Sequence, residues 1–431
     1  MKKTQQYGIN NNRIEEKRNE KKSNNPLNST INSSWGGGYL KLKDTNNETN
    51  LISANSLKEN NLIGVYIEDG SSYTKVDQIP AGYTLNEEKS YCKIGEEKQD
   101  ITITYDMNTK NLTIRPLTTK GTKCYLYFDE QKILLAEAIK RDNQIKSGTP
   151  DFSQVATTNE GVYKTEDDWG ESYYFRGAVG NNWVKFAGYY WRIIRINGDG
   201  SIRLIYNGTS TATTGTSTQI STSAFNSSYN DNMYVGYMYA SNQVHGLGNS
   251  STIKGVLDNW YNSNLTSHAD KISKEAGFCG DREPSTNSSS SNGSGGTGTT
   301  TTYYGGYIRL ISNKSPNLKC KNSSDLYTVS GSSKGNKALS NPIGLITADE
   351  VAMAGGVYGQ NNPNYYLNTD KFYWTMTPYY ASNAVIFGIS SSGGLLEYGV
   401  GSTWGVRPVI NIANDVTIKS GNGTSKTPYE I

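Results

Sequence analysis

The stretch WVKFAGYYWRIIRINGDGSIRLIYNG, Trp183 to Gly208, alternates apolar and polar residues on either side of a turn. Trp183, Phe186, Trp191, Ile194, Ile196, Ile202, Leu204 and Tyr206 are spaced to supply a core, as strand periodicity requires. Asn197-Gly-Asp-Gly200 carries the turn residues that join two strands in a hairpin. A chain built on such units is predicted to be mainly β with a few helices, an α+β fold.

Working outward, the 431 residues are enough for two or three domains. Hydrophobic residues make up 35% and mean hydropathy is −0.64, which is polar for a folded chain. Aromatics nevertheless reach 11%, with 32 Tyr against 8 Phe, and disordered chains are poor in aromatics. Tyr mixed with Gly, Ser, Thr and Asn is the palette of adaptable contact surfaces. Low-GC coding bias produces the same enrichment without selection for binding, so both origins stay open. A net charge of +3 is too balanced to argue for nucleic acid as a partner or for an anionic membrane.

The four cysteines, Cys92, Cys124, Cys279 and Cys320, form no CxxC, and the chain has two histidines, so no metal site or cofactor is expected. An even count at wide spacing fits two disulfides and an oxidising compartment. Pairing Cys92 with Cys124 and Cys279 with Cys320 keeps each bridge within one domain. The count allows three connectivities, and four free thiols in a reducing compartment are the alternative. No run approaches the roughly 20 apolar residues that span a bilayer, so no direct membrane insertion is expected. The N-terminus has no apolar leader core. Export is therefore expected to rest on something outside this sequence, or on lysis.

Residues 1–48 are rich in Asn, Lys, Glu and Ser and read as a disordered tail. Residues 49–128 hold short alternating runs and read as a small Ig-like β-sandwich spacer, closed by an inter-sheet Cys92–Cys124 bridge. Within it, ITITYDMNTKNLTIRPL reads as two strands around a turn. Residues 129–150 read as a helical linker, with the helix from Asp129 to Asp142. Residues 151–431 form the larger domain. In it, Ser251–Leu265 predicts an amphipathic helix, and Thr347–Gly356 a short helix with a Thr347/Glu350 capping box and a Gly355 stop. The inserts TSTATTGTSTQISTS and PSTNSSSSNGSGGTGTTTT are expected as exposed loops.

Enzyme motifs are missing: there is no GxSxG, P-loop, HExxH, or GxGxxG in a βαβ setting. No catalytic residue is assigned. Glu166, Asp167 and Asp168 read as a solvated turn, and His245 and His268 as surface residues. Asp199 resembles part of a calcium loop whose other ligands are lacking. Asp281 and Arg282 read as a structural pair. Near the C-terminus, FYWTMTP, NAVIFGIS, GGLLEYGV and WGVRPVINI are strand-length and predict an antiparallel meander. Arg407, alone in an apolar run, should be buried against a carboxylate or several carbonyls and act as an anchor.

The segments WVKFAGYYWRIIRINGDGSIRLIYNG, NPIGLITADEVAMAGG, YWTMTP and GVRPVINI…GNGTSKTPYEI together resemble surface proteins of low-GC gut Firmicutes. Their C-terminal domain is C-type-lectin-like, similar to formylglycine-generating enzymes. In the variable proteins of diversity-generating retroelements, this fold carries a hypervariable patch between a W-x-x-[ST]-P strand and a GVRP strand. Trp374–Pro378 and Gly405–Pro408 match those landmarks. The resemblance implies a ligand-binding face at about 379–404. Its positions are Tyr379, Tyr380, Ser382, Phe387, Ile389, Ser391, Leu395, Glu397, Tyr398, Ser402, Thr403 and Trp404, with Trp374 and Arg407 as structural clamps. It further implies a protein or glycan ligand and display at a cell or virion surface. Two departures speak against carrying enzyme or calcium-lectin activity over. Residues 321–431 contain no cysteine for a catalytic pair, and an EPS at Glu283 stands where EPN or QPD would, with no WND. An enzyme on the same fold, a fixed adhesin, and a phage-tail or pilus subunit are the alternatives.

Overall fold

The computed structural model describes residues 62–80, 82–106, 111–115, 121–285 and 295–431, together with three backbone strands at 29–33, 39–44 and 49–53. The protein is mainly β, of the α+β class. Tertiary contacts divide it into two compact units, Met1–Gln131 and Lys132–Ile431.

The described residues of the first unit form two sheets. One runs antiparallel in the order Thr49–Ser53, Tyr39–Asp44, Ser29–Ser33, Asn111–Arg115, Thr102–Asp106. The last two are the expected hairpin, whose turn at 107–110 lies outside the described residues. Strands at 29–33 and 39–44 correct the reading of 1–48 as tail throughout; residues 1–28 lie outside the description. Tyr39-Leu-Lys-Leu-Lys43 does alternate, but its Lys and Asn neighbours masked the signal. The second sheet is centred on Lys123–Glu130, which pairs in parallel with Leu62–Asp69 and antiparallel with Tyr91–Ile94. That parallel pair departs from an all-antiparallel sandwich. Ile103, Leu112 and Ile114 of one sheet share a core with Cys92, Cys124, Leu126 and Phe128 of the other. Cys92 and Cys124 are bridged, but they sit directly opposite each other within one sheet, so the bridge is not between sheets.

In the second unit the first helix spans Leu135–Asp142, shorter than expected, because Asp129 and Glu130 end a strand. Its Leu135, Ala138 and Ile139 belong to the main core, so the helix is part of this unit and not a free linker. The large sheet is centred on Tyr189–Ile196, which pairs antiparallel with Gly170–Gly177, Trp183–Phe186 and Ile202–Tyr206. All eight predicted core residues of the opening stretch are buried. Gly200, at φ +83°, closes the hairpin in the left-handed conformation that glycine tolerates. The alternation was only half informative: Tyr189–Ile196 and Ile202–Tyr206 are covered on both faces, and the polar face buries Arg192, Arg195 and Arg203.

Ser251 caps the Thr252–Asn264 helix, accepting from the Lys254 N–H. Thr347 and Glu350 form the expected capping box on Ala348–Met353. Cys279 and Cys320 are joined. Among the described residues no helix is long and apolar enough to cross a membrane.

A second, five-stranded sheet carries the C-terminal segment, in the order Ser221–Ser223, Trp404–Val406, Tyr373–Pro378, Val385–Ile389, Leu395–Gly399. The last three are a meander, as expected. Trp404–Val406 does not continue it. It crosses to the far side of Tyr373–Pro378 and meets Tyr373 in parallel through Gly405. The crossing is fixed by the Val400 carbonyl, which accepts from the Phe225 and Asn226 N–H groups. The run Gly405–Ile412 is therefore not one strand. Pro408 has no N–H for a ladder, and the chain turns at Arg407-Pro408 from this sheet into the large one, where Val409–Ile412 pairs with Ile202–Ile205. The first insert is only partly loop, since Ser221–Ser223 pairs with Trp404–Val406. Of the second, residues 286–294 lie outside the description, while Thr302–Tyr303 pairs with Tyr380–Ala381.

Candidate functional site

The frame of the C-terminal segment is rigid. Every residue of Tyr373–Pro378 is buried. The Trp374 indole donates to the Ser223 carbonyl at 2.8 Å, and the Thr375 hydroxyl to that of Phe387 at 2.7 Å. Arg407 is fully buried, and among the described residues it has no carboxylate partner. Its guanidinium donates to the carbonyls of Tyr206 (2.9 and 3.1 Å) and Leu367 (3.1 Å) and to Asn207 Oδ1 (3.1 Å), above the Tyr373 ring.

The twelve positions inferred for the face do not form one surface. Neighbouring residues of a strand point to opposite sides of a sheet, and the registers Phe387↔Glu397 and Ile386↔Tyr398 sort them. On one side lie Tyr379, Phe387 and Glu397, with the Tyr379 ring edge-on to Phe387 at 5.0 Å. On the other lie Tyr398 and Trp404, packed with Phe372 at 5.6 and 4.5 Å. Gly388 leaves room for the Tyr398 ring, which a Cβ there would meet at 3.0 Å. Burial pushes the Tyr398 hydroxyl up to about 12. Phe387, Ile389 and Leu395 are fully buried, which corrects their reading as displayed positions; they fill the core beneath the sheet. Tyr379 is also largely buried, at 8% exposure. Ser382 and Thr403 are exposed and Ser402 half-buried, in the turns at one end of the meander; Ser391 is exposed at the opposite end.

The side with Tyr379 recruits residues that sequence reasoning missed. Tyr380 is 37% exposed and stacks on Tyr303, with centroids 4.6 Å apart. Tyr307 lies edge-on to Tyr379 at 5.0 Å, and Tyr358 stacks on Tyr379 at 5.7 Å. The Tyr358 hydroxyl donates to Glu397 Oε2 at 2.8 Å and contacts the Tyr379 hydroxyl at 3.0 Å. Burial, then the neighbouring ring hydroxyls and Glu397, push the Tyr307 hydroxyl above its ordinary value. Tyr303, Tyr307 and Tyr358 are each half-buried. Tyr303-Tyr-Gly-Gly-Tyr307 directly follows the second low-complexity insert, with nothing in the sequence to show that Thr302–Tyr303 pairs with Tyr380–Ala381.

Behind the sheets lies a buried ionic network, where the sequence suggested a solvated turn. Asp167 is buried and ion-paired with Arg195, and Arg195 and Arg203 both reach Glu350 Oε1, at 3.0 and 2.5 Å. Asp168 accepts from the Cys320 N–H, and burial raises its carboxyl above the ordinary value. Asp281 and Arg282 do not pair with each other: Asp281 pairs with Arg309, which also holds Asp349, and Arg282 with Asp325. A cavity of about 30 Å³ between these groups is sized for water, not for a substrate. Asp199 accepts from the Ser201 N–H and hydroxyl as a turn residue.

His245 is half-buried, not a free surface residue. Its Nδ1 lies 2.9 Å from Asp325 Oδ2 and its Nε2 3.2 Å from Glu283 Oε2, with Arg282, Asn322 and Lys321 around the two carboxylates. The Asp325 hydrogen bond raises the imidazole above its ordinary value. A raised value stabilises the fold fully below the unfolded pKa and loses that contribution as pH rises through the folded one. His245→Gln is therefore expected to lower the melting temperature most near pH 5.5. The gap should close at alkaline pH, and a gap constant with pH would show that His245 acts only by packing.

No protein-family model, curated protein or solved structure matches the chain.

Proposed function

We propose that the protein is a non-enzymatic, surface-displayed binding protein. Its C-terminal domain, of C-type-lectin-like type, presents a diversified face to a protein or glycan ligand. The observation that carries the reading is the contrast between a fixed strand and the aromatic cluster beside it. Tyr373–Pro378 is wholly buried and pinned by side-chain hydrogen bonds, while Tyr380, Tyr303, Tyr307, Tyr358 and Glu397 gather beside it with their rims open. Large, stiff aromatics beside a fixed backbone give contact area at low entropic cost. Exposed turns at Ser382 and Thr403 accept new side chains with little effect on stability. The two disulfides suit an oxidising, extracellular setting.

The test is a glycan and protein array probed with the full chain and with Tyr380→Ala/Tyr303→Ala. The double variant is expected to lose at least tenfold in affinity for the ligand found, at an unchanged melting temperature. Tyr398→Ala, on the opposite side of the sheet, is expected to keep binding. Equal binding by the double variant sinks the site. Diversification predicts a neighbouring reverse transcriptase gene and an imperfect copy of the 379–412 coding segment that differs at adenines; without them the protein is a fixed adhesin.

A further inference from the structure

The corner formed by Tyr358, Tyr379, Tyr307 and Glu397 carries a charge that the rest of the face does not answer. Glu397 is half-buried on Leu395–Gly399, and its hydrogen-bond partner there is a neutral hydroxyl, that of Tyr358, at 2.8 Å. Among the described residues no lysine, arginine or histidine nitrogen lies within ion-pair distance of it. The interior carboxylates Asp167, Asp281, Asp325, Asp349 and Glu350, in contrast, are all paired with arginines. Around Glu397 the rings are set at varied angles. Tyr358 is near parallel to Tyr379 (19°) and Tyr307 near perpendicular to it (79°). Ring faces attract a cation through their quadrupole, and a partly desolvated carboxylate strengthens that attraction.

The geometry points to a lysine side chain of a protein partner as the occupant of this corner. This rests on the reading of the Tyr380 side of the sheet as the binding face. Lysine is favoured over arginine because Tyr358 already donates to Oε2. A guanidinium fork seeks both carboxylate oxygens, whereas a compact ammonium needs one. Lysine is favoured over a quaternary ammonium because the carboxylate and the Tyr379 hydroxyl offer hydrogen-bond acceptors that a trimethylated nitrogen cannot use. The stem of a lysine, apolar for four carbons, matches the Tyr307 and Tyr380 rings at the rim, 5.3 Å apart.

The experiment titrates the full chain with pentalysine, pentaarginine and penta-trimethyllysine, following heat by calorimetry at low and physiological salt. Pentalysine is expected to bind tightest, to weaken as salt rises, and to lose about tenfold with Glu397→Gln. Tyr358→Phe frees Oε2 and is expected to narrow the preference for lysine over arginine. Melting temperatures confirm that both variants fold. Pentalysine binding that ignores Glu397→Gln, or an arginine peptide that binds as tightly to the parent chain, overturns the proposal. If Tyr380→Ala/Tyr303→Ala loses the array ligand while pentalysine ignores Glu397, the cation site falls and the face stands. If pentalysine depends on Glu397 while the array ligand ignores Tyr380 and Tyr303, the lysine site stands and the wider face falls.

Discussion

Glu350→Gln is expected to destabilise the larger unit by about 3–5 kcal/mol, the usual cost of removing one partner of a buried pair. Glu350 sits at the meeting point of three elements. Its Oε1 accepts from Arg195 and pairs with Arg203, and its Oε2 accepts from the Thr347 N–H to close the helix cap. Losing the charge leaves the two guanidiniums in different positions. Arg195 keeps Asp167, whereas Arg203 is left, among the described residues, with the Gly277 and Leu345 carbonyls, an Asn411 amide oxygen at 3.5 Å and the Phe278 ring, and no carboxylate. Arg203 is therefore the uncompensated charge. Arg203→Met added to Glu350→Gln is expected to recover part of the loss, a coupling that a double-mutant cycle reads directly.

The pH dependence has a definite sign. Burial opposes ionisation of Glu350, but Arg203 and Arg195 outweigh it and hold the carboxyl below its ordinary value of 4.5. A depressed carboxylate stabilises the fold fully above its unfolded pKa and loses that as pH falls through the folded value. The gap between parent and Glu350→Gln should thus be widest near neutrality and narrow in acid. Urea midpoints followed by tryptophan emission suit the measurement, because six of the seven tryptophans lie in the larger unit. A loss under 1 kcal/mol at pH 7 would show that Arg203 is already satisfied by carbonyls.

Much of this architecture was legible in the sequence where one local rule sufficed. The hairpin around Asn197–Gly200, the cap on Thr347 and the Ser251 helix start each follow from a few neighbouring residues. What failed was long-range. Period-two alternation cannot tell a polar face that meets water from one that meets a buried carboxylate, so nothing in it marks Arg195 and Arg203 as buried, and Asp167 read as part of a solvated turn. Nor can it say on which side of Tyr373–Pro378 a later strand docks, so Trp404 was grouped with Tyr379 although a sheet separates them. Tyr358 and Tyr307 lie just beyond the Thr347–Gly356 helix and the second insert, in stretches that carried no reading of their own. Their contact with Tyr379 depends on pairings that no spacing encodes.

Arg407→Ala is expected to cost at least 3 kcal/mol, and the reason bears on function. Arg407 stands at the corner where the chain leaves the five-stranded sheet for the large one. It joins the end of Ile202–Tyr206 in the large sheet to Leu367, whose carbonyl also accepts from the Tyr373 hydroxyl at 2.8 Å. Truncation leaves the Tyr206 carbonyl, Asn207 Oδ1 and one lone pair of Leu367 facing a dry cavity, and each unmet group costs about 1–3 kcal/mol. Arg407→Lys is expected to fall between, since one ammonium cannot span acceptors on two elements. Substitutions at Ser382 and Thr403, on exposed turns, are expected to stay within about 0.5 kcal/mol. Stability concentrated in Arg407 and Trp374, and nearly absent from the turns, is what allows a face to change its chemistry while its backbone stays fixed. If Ser382 and Thr403 variants instead melt as early as Arg407→Ala, the segment is a structural one, and its tyrosines are there to fill the fold.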